Sequence, residues 1–273
     1  MRIALLQYPI VWADKEANLY LLRERLTQIK GQADIAVVPE MFTTGFCTGN
    51  PELAEEWGSE TCQVLQAMAD EYGIAIVGSM IASVNQARED TSDQPLELNG
   101  LRNRGFMFRP NDRPLYQDKR HLYRTGGEAR FFEPAEQIEN WEYKGVKIRM
   151  LVCYDLRFPI WARQPQGIDN MYDLLLVVGN WPEVRIQYWD ALIAARATEN
   201  QCYIVAVNNV GDDGLGWHYN GHSKAYDTYL RELAQFKDNE QGTRIVNLDM
   251  NLLHHFREAL PLWQDADRYQ ILT

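Results

Sequence analysis

Three features of the chain predict an α/β fold. Strand-like and helix-like patterns alternate along it. Several apolar runs stop abruptly at one polar or reactive residue. Two of those runs, 34–40 and 173–180, read alike: an acid, then a buried stretch, then a polar tip.

Arg2 to Gln7 reads as the first strand. Asn18 to Lys30 follows as an amphipathic helix, with Leu19, Leu22 and Leu26 on one side. Asp34 to Val38 is a strand; Pro39 cannot donate to a sheet ladder, so the strand finishes there with Glu40 at its rim. Thr61 to Tyr72 is a helix with Val64, Leu65 and Met68 inward, stopped by Gly73. Ile74 to Gly78 is again a strand, and the polar stretch Gln86 to Asn99 reads as a solvated hairpin loop.

Further on, Pro114 to Tyr123 sets Lys119 beside a short strand-like stretch. Val146 to Val152 is a β-branched, apolar strand that delivers Cys153 at its tip. Pro159 suits the first turn of a helix through Arg163. Asp173 to Val178 and Cys202 to Asn208 are strands, with a helix from about Gln187 to Asn200 between them.

Composition narrows the function. A chain of 273 residues with 46% hydrophobic and 24% charged residues is that of a globular protein with a large core. No apolar stretch approaches the roughly 20 residues of a membrane-spanning helix, and the N-terminus reads as a strand and not as a signal peptide. A net charge of −11 opposes nucleic-acid binding, because phosphates are repelled. Four cysteines without paired spacing argue against a disulfide framework or a zinc ribbon and point to a reducing cytoplasm.

The chemistry lies at the strand tips. Glu40, Lys119 and Cys153 supply a carboxylate base, an ammonium for an oxyanion and a thiol nucleophile, the parts of an acyl-transfer site. Amide N–H groups and a helix dipole beyond Cys153 should favour the thiolate, and the lysine should lower it further. Cys62 and Cys202 read as core residues. A cysteine–histidine site using His121, His218 or His222 accounts for the strand tips less well. His218 and His222 are four apart, but Asn220 and Gly221 argue against the helix a zinc site would need, and His254-His255 reads as a surface or subunit-contact pair. Gly211 to Gly216 opens no helix and reads as a turn. No metal site emerges.

The segments Leu5-Leu6-Gln7, Pro39-Glu40-Met41-Phe42, Asp118-Lys119-Arg120-His121-Leu122 and Cys153-Tyr154-Asp155-Leu156-Arg157-Phe158-Pro159 occur in this order. Asn180-Trp181-Pro182 and Ala195-Arg196-Ala197-Thr198-Glu199-Asn200-Gln201 complete the series. The ordered set resembles the nitrilase superfamily of carbon–nitrogen hydrolases, and within it the omega-amidases. The resemblance implies a four-layer α-β-β-α sandwich, here one domain over residues 1–273. It implies catalysis by Glu40, Lys119 and Cys153 without a cofactor, with the Tyr154 N–H as oxyanion donor. It also implies an omega-amide of a small dicarboxylic keto acid as substrate, water as co-substrate, and a homodimer or larger assembly. The tail 255–273 fits a segment docking on a partner subunit, or equally on its own chain.

Some roles have two readings. Glu128 either orients Lys119 or the water, or is a surface loop carboxylate. Arg157 either meets the substrate's remote carboxylate or braces the turn through an ion pair with Asp155 or another carboxylate. Phe42, Tyr154 and Trp181 either line an aromatic wall or belong to the core. The same triad also serves other amides, carbamoyl amines and nitriles, and a catalytically silent binding protein is the alternative of another class.

Overall fold

A computed structural model describes residues 1–83, 100–165 and 167–271. The expected hairpin loop at 86–99 lies outside the described residues. The first half carries β1 (Arg2–Gln7), α1 (Lys15–Ile29), β2 (Ile35–Val37), β3 (Glu55–Glu56), α2 (Glu60–Tyr72), β4 (Ala75–Ser83), β5 (Leu101–Phe108) and β6 (Leu115–Asp118). The second carries β7 (Trp141–Tyr143), β8 (Val146–Val152), α3 (Pro159–Ala162), β9 (Leu174–Gly179), α4 (Ile186–Asn200) and β10 (Tyr203–Asn208). There follow β11 (Val210–Asp212), β12 (His218–Asn220), β13 (Lys224–Tyr226), β14 (Glu232–Gln235), β15 (Gly242–Asn247) and α5 (Met250–Ala259). The expected elements are present with ends shifted by a few residues.

The strands form two large sheets, ordered β15-β1-β2-β4-β5-β6, with β3 paired to β4, and β14-β13-β10-β9-β8-β7. Each has a parallel centre, β1-β2-β4 in one and β8-β9-β10 in the other. A short β11-β12 hairpin stands apart. The resemblance between 34–40 and 173–180 is thus structural: β2 and β9 occupy central positions in their respective sheets.

Alternation along the strands sorts side chains into layers. Ile3, Leu5, Ile35, Val37, Ala75, Val77 and Met107 join one buried cluster with the second sheet. Their neighbours Ala4, Leu6, Ala36, Val38, Ile76, Phe106 and Phe108 pack on α1 and α2 through Leu22, Leu26, Ile29, Leu65 and Met68. Each fully buried large aliphatic side chain contributes about 1.5–3 kcal/mol relative to exposure. On the far side, Trp189, Ile193 and Ala197 of α4 cover the second sheet. The result is four layers, helices on sheet on sheet on helices. Gly105 lets the sheets meet, since a Cβ there would lie 2.8 Å from the Met150 sulfur.

Local chemistry sets the ends of the helices. Asp14 caps α1 through Ala17 N–H, and Gly73 closes α2 at a φ of 66°. Arg257 of α5 is buried, donating to Asp173 and to the carbonyls of Gln201 and Tyr172. The tail continues over its own chain, where the Tyr269 hydroxyl donates to the Arg163 carbonyl at 3.1 Å. Among the described residues no helix is long and apolar enough to cross a membrane.

Candidate active site

Glu40, Lys119 and Cys153 lie just beyond β2, β6 and β8, so the two sheets bring them together along their seam. Glu40 and Lys119 are fully buried, and the Lys119 ammonium donates to Glu40 Oε1 at 2.8 Å. Glu128 is also fully buried and not on the surface. It accepts from Lys119 Nζ at 3.0 Å on Oε1, and the ammonium lies 2.9 Å from Oε2. Asn103 of β5 bridges the two carboxylates, donating through Nδ2 to Glu40 Oε1 at 2.7 Å and to Glu128 Oε1 at 2.9 Å. The Tyr123 N–H donates to Glu128 Oε2 at 2.6 Å. Every oxygen of Glu128 is therefore tied, and the Lys119 ammonium is held from two sides.

Electrostatics follow from this packing. Burial opposes the Lys119 charge, but Glu128 and Glu40 outweigh it and hold the ammonium above its ordinary range. Burial pushes the Glu128 carboxyl up, and Glu40 adds to that while Lys119 opposes it. Two carboxylates share one cation, so the cluster favours holding a proton.

Cys153 follows β8 directly and opens the helical turn 153–157 at a φ of 47°. Left-handed backbone is uncommon for a residue with a Cβ and costs strain. The Sγ faces the Glu40 carboxylate, the Asn180 N–H and the Lys119 ammonium. The expected thiolate does not follow. Burial and the Glu40 charge push the thiol well above its ordinary value, although Lys119 pulls the other way. The dipole expectation fails because α3 begins only at Pro159, beyond the 153–157 turn. Tyr154 comes second in that turn, where opening N–H groups have no intrahelical acceptor.

A cavity of about 170 Å³ opens over Cys153, lined also by Phe46, Tyr123, Tyr154, Asn180, Trp181 and Tyr219. Arg157, Arg185, Leu215 and Trp217 also belong to its wall. Asn180 donates from Nδ2 to the Glu40 carbonyl at 2.7 Å, and its buried Oδ1 has no hydrogen-bond partner among the described residues. An acceptor beside the thiol suits the N–H groups of a primary amide.

Of the expected residues, Trp181, Tyr154 and Arg157 do line the cavity. Arg157 makes no ion pair with Asp155; its guanidinium lies over Trp181 at 4.8 Å and Tyr188 at 4.9 Å. Asp155 instead accepts from Val152 and His121. Phe42 is a correction: it is fully buried against Phe106 in the helix-facing layer and does not reach the cavity. Met41 has a φ of 46°, which turns the chain so that Phe42 and Glu40 leave on different sides.

None of the histidines lines the cavity. His121 pairs with Asp155 and stacks on Phe158. His218 pairs with Asp212, and His222 with Asp190 and Asp238. His254 and His255 are exposed on α5. Among the described residues no side-chain cluster could hold a metal ion. Asn103 and Arg185 escaped the sequence reading. An asparagine inside an apolar strand was a usable signal for the first; a surface-like turn hid the second.

A carboxylate, an ammonium and a thiol beneath one small cavity form a site for acyl transfer to water. The chain belongs to the carbon–nitrogen hydrolase family, whose model matches residues 2–258. It is similar over its length to omega-amidase YafV of Escherichia coli (strain K12), with 37% identity covering 99% of this chain and 98% of that one. The 2-oxoglutaramate amidase of Bacillus subtilis (strain 168) is 30% identical, covering 96% of each. Among solved structures, XC1258 from Xanthomonas campestris, a CN-hydrolase superfamily protein with an arsenic adduct in its active site, superposes with a TM-score of 0.91. It is 31% identical, over 99% of this chain and 98% of that one. The fold is that of the nitrilase superfamily.

Proposed function

We propose that this chain is an omega-amidase. It releases ammonia from omega-amides of small dicarboxylic keto acids, 2-oxoglutaramate and 2-oxosuccinamate, through a cysteinyl thioester. The observation that carries this reading is a buried Glu40–Lys119 pair facing Cys153, under a cavity with cationic groups in its wall.

Glu40 takes the thiol proton as Sγ attacks the amide carbon. A neutral thiol beside a carboxylate suits this coupled transfer better than a free thiolate, because no isolated charge waits in a dry site. The tetrahedral oxyanion meets the Lys119 ammonium and the Tyr154 N–H. Glu128 is a positioning residue that fixes Lys119. Glu40 returns its proton to the leaving nitrogen, and ammonia departs. Glu40 then deprotonates water, which attacks the thioester and frees the acid and the thiol. The unpaired Asn180 Oδ1 supports a primary amide as substrate, by accepting from its NH₂ group. Arg157 receives the remote carboxylate, with Trp181 as the adjoining wall.

On this reading the chain acts as one domain in a cytoplasmic homodimer or larger assembly, with no metal or cofactor. Four free cysteines fit a reducing compartment. Another amide, a carbamoyl amine or a nitrile would engage the same three residues, so substrate choice rests on the cationic wall.

Ammonia release from 2-oxoglutaramate by the wild type and Cys153→Ala tests the proposal, with glutamine, a carbamoyl amine and an aliphatic nitrile in parallel. Rapid release from the keto-amide, abolished in the variant, is expected. Release from one of the other substrates alone would overturn the omega-amidase assignment, and persistent activity in Cys153→Ala would overturn the nucleophile.

A further inference from the structure

The cavity wall carries two guanidinium groups, and only Arg157 has been given a role. Arg185 lies in the short turn Glu183–Arg185 that leads into α4. Its guanidinium sits over the Tyr123 ring at 5.3 Å and the Trp217 ring at 5.2 Å. Trp217 and Leu215 belong to the β11-β12 hairpin, are exposed, and line the cavity, so Arg185 stands at the mouth.

Among the described residues neither Arg157 nor Arg185 has a carboxylate within ion-pair distance, whereas Arg102, Arg104, Arg109, Arg196, Arg244 and Arg257 each do. In a chain of net charge −11, two unneutralised cations facing one small cavity make a local field for an anion. Ring stacking leaves the N–H edges of a guanidinium available, and those edges match a carboxylate.

We infer that Arg185 is a second specificity-determining residue. Together with Arg157 it forms the anion-accepting end of the cavity and selects amides that carry a terminal carboxylate over neutral amides of the same length. The inference rests on the proposed reading of the substrate as the amide of a dicarboxylic acid. The backbone of the turn is fixed independently, because the Trp181 indole N–H donates to the Arg185 carbonyl at 2.7 Å. Side-chain substitution therefore leaves the turn anchored.

The test measures ammonia release from 2-oxoglutaramate and succinamate, each as the free acid and as the methyl ester, by wild type, Arg185→Gln and Arg185→Lys. The wild type should prefer both free acids. In Arg185→Gln the acid-to-ester ratio of kcat/KM should fall by about tenfold or more, the worth of a charge-assisted hydrogen bond. The fall should appear in KM for the acid far more than in kcat. Arg185→Lys, which keeps the charge and loses the fork, should lie between. An equal loss on acid and ester would assign Arg185 to holding the Trp217 hairpin and overturn the inference, as would an unchanged ratio. A wild type that favours the esters also overturns it. Acid preference on succinamate alone, with Arg185 dependence and no release from 2-oxoglutaramate, keeps Arg185 and discards the keto-acid substrate.

Discussion

Asn180 grips Glu40 twice: its backbone N–H donates to Glu40 Oε2 at 2.9 Å, and its Nδ2 donates to the Glu40 carbonyl at 2.7 Å. Asn180 follows β9 and Glu40 follows β2, so the pair ties the tip of one sheet to the tip of the other. The Glu40 carboxylate is thereby aimed by a residue of the opposite sheet, and its remaining oxygen is left to Lys119 and Asn103.

The charge on Glu40 helps to hold the Cys153 proton in place, although that same carboxylate is the proposed base. Glu40→Gln removes the repulsion and leaves Lys119 beside the thiol, so the thiol should ionise at lower pH. The inflection of iodoacetamide alkylation against pH is expected to move down in Glu40→Gln while turnover is lost. An upward shift would contradict the geometry of the pair.

Glu128 touches no solvent and bonds Lys119, Asn103 and Tyr123. Glu128→Gln should lower kcat by about a hundredfold, within the range for a displaced oxyanion group, with a much smaller change in KM. Steady-state kinetics on 2-oxoglutaramate decide this, and an unaltered kcat would reduce the machinery to Glu40, Lys119 and Cys153.

Alanine usually suits a fold better than glycine, but the φ of 47° at Cys153 reverses the order. Cys153→Gly should be more stable than Cys153→Ala by about 1 kcal/mol. Urea unfolding of the two inactive variants measures it. If alanine proves the more stable, the turn is less strained than its backbone indicates.

The Asp190 carboxylate raises the His222 pKa above its ordinary value, burial opposes the rise, and Asp238 adds to it. Lys224 also pairs with Asp190 at 2.5 Å. A raised histidine stabilises fully below its unfolded pKa of about 6.5, and the benefit is lost as pH climbs through the raised folded value. The Tm gap between wild type and His222→Gln should be widest near or below about pH 6 and narrow as the pH rises into the alkaline range. A gap that widens with pH would mean that His222 is neutral in the fold.

The strand tips were legible because a buried strand has to stop somewhere, and a lone Glu, Lys or Cys after an apolar run marks the stop. The seam was not, since no local pattern says which sheet tips face each other. Phe42 misled for the same reason: an extended Pro-Glu-Met-Phe would place residues 40 and 42 on one side, and the positive φ at Met41 is invisible in the residue type. At Cys153 the position of the following helix is legible in the sequence, whereas the burial of Glu40 against the thiol is not. Arg185 offered nothing to a linear reading, as its meaning comes from rings contributed by residues 123 and 217.

One pairing bears on the order in which the molecule becomes an enzyme. Strand β1 lies between β2 and β15, with Arg2 opposite Asn247 and Gln7 opposite Gly242. On the ribosome, Glu40, Lys119 and Cys153 all emerge well before residues 242–247, which complete the sheet that carries Glu40. Until those residues arrive, β1 is an open edge and the reactive groups have no finished frame. Hydrolytic competence is therefore a late event in synthesis, and the appearance of activity in a translation reaction is a clock for the closing of that edge.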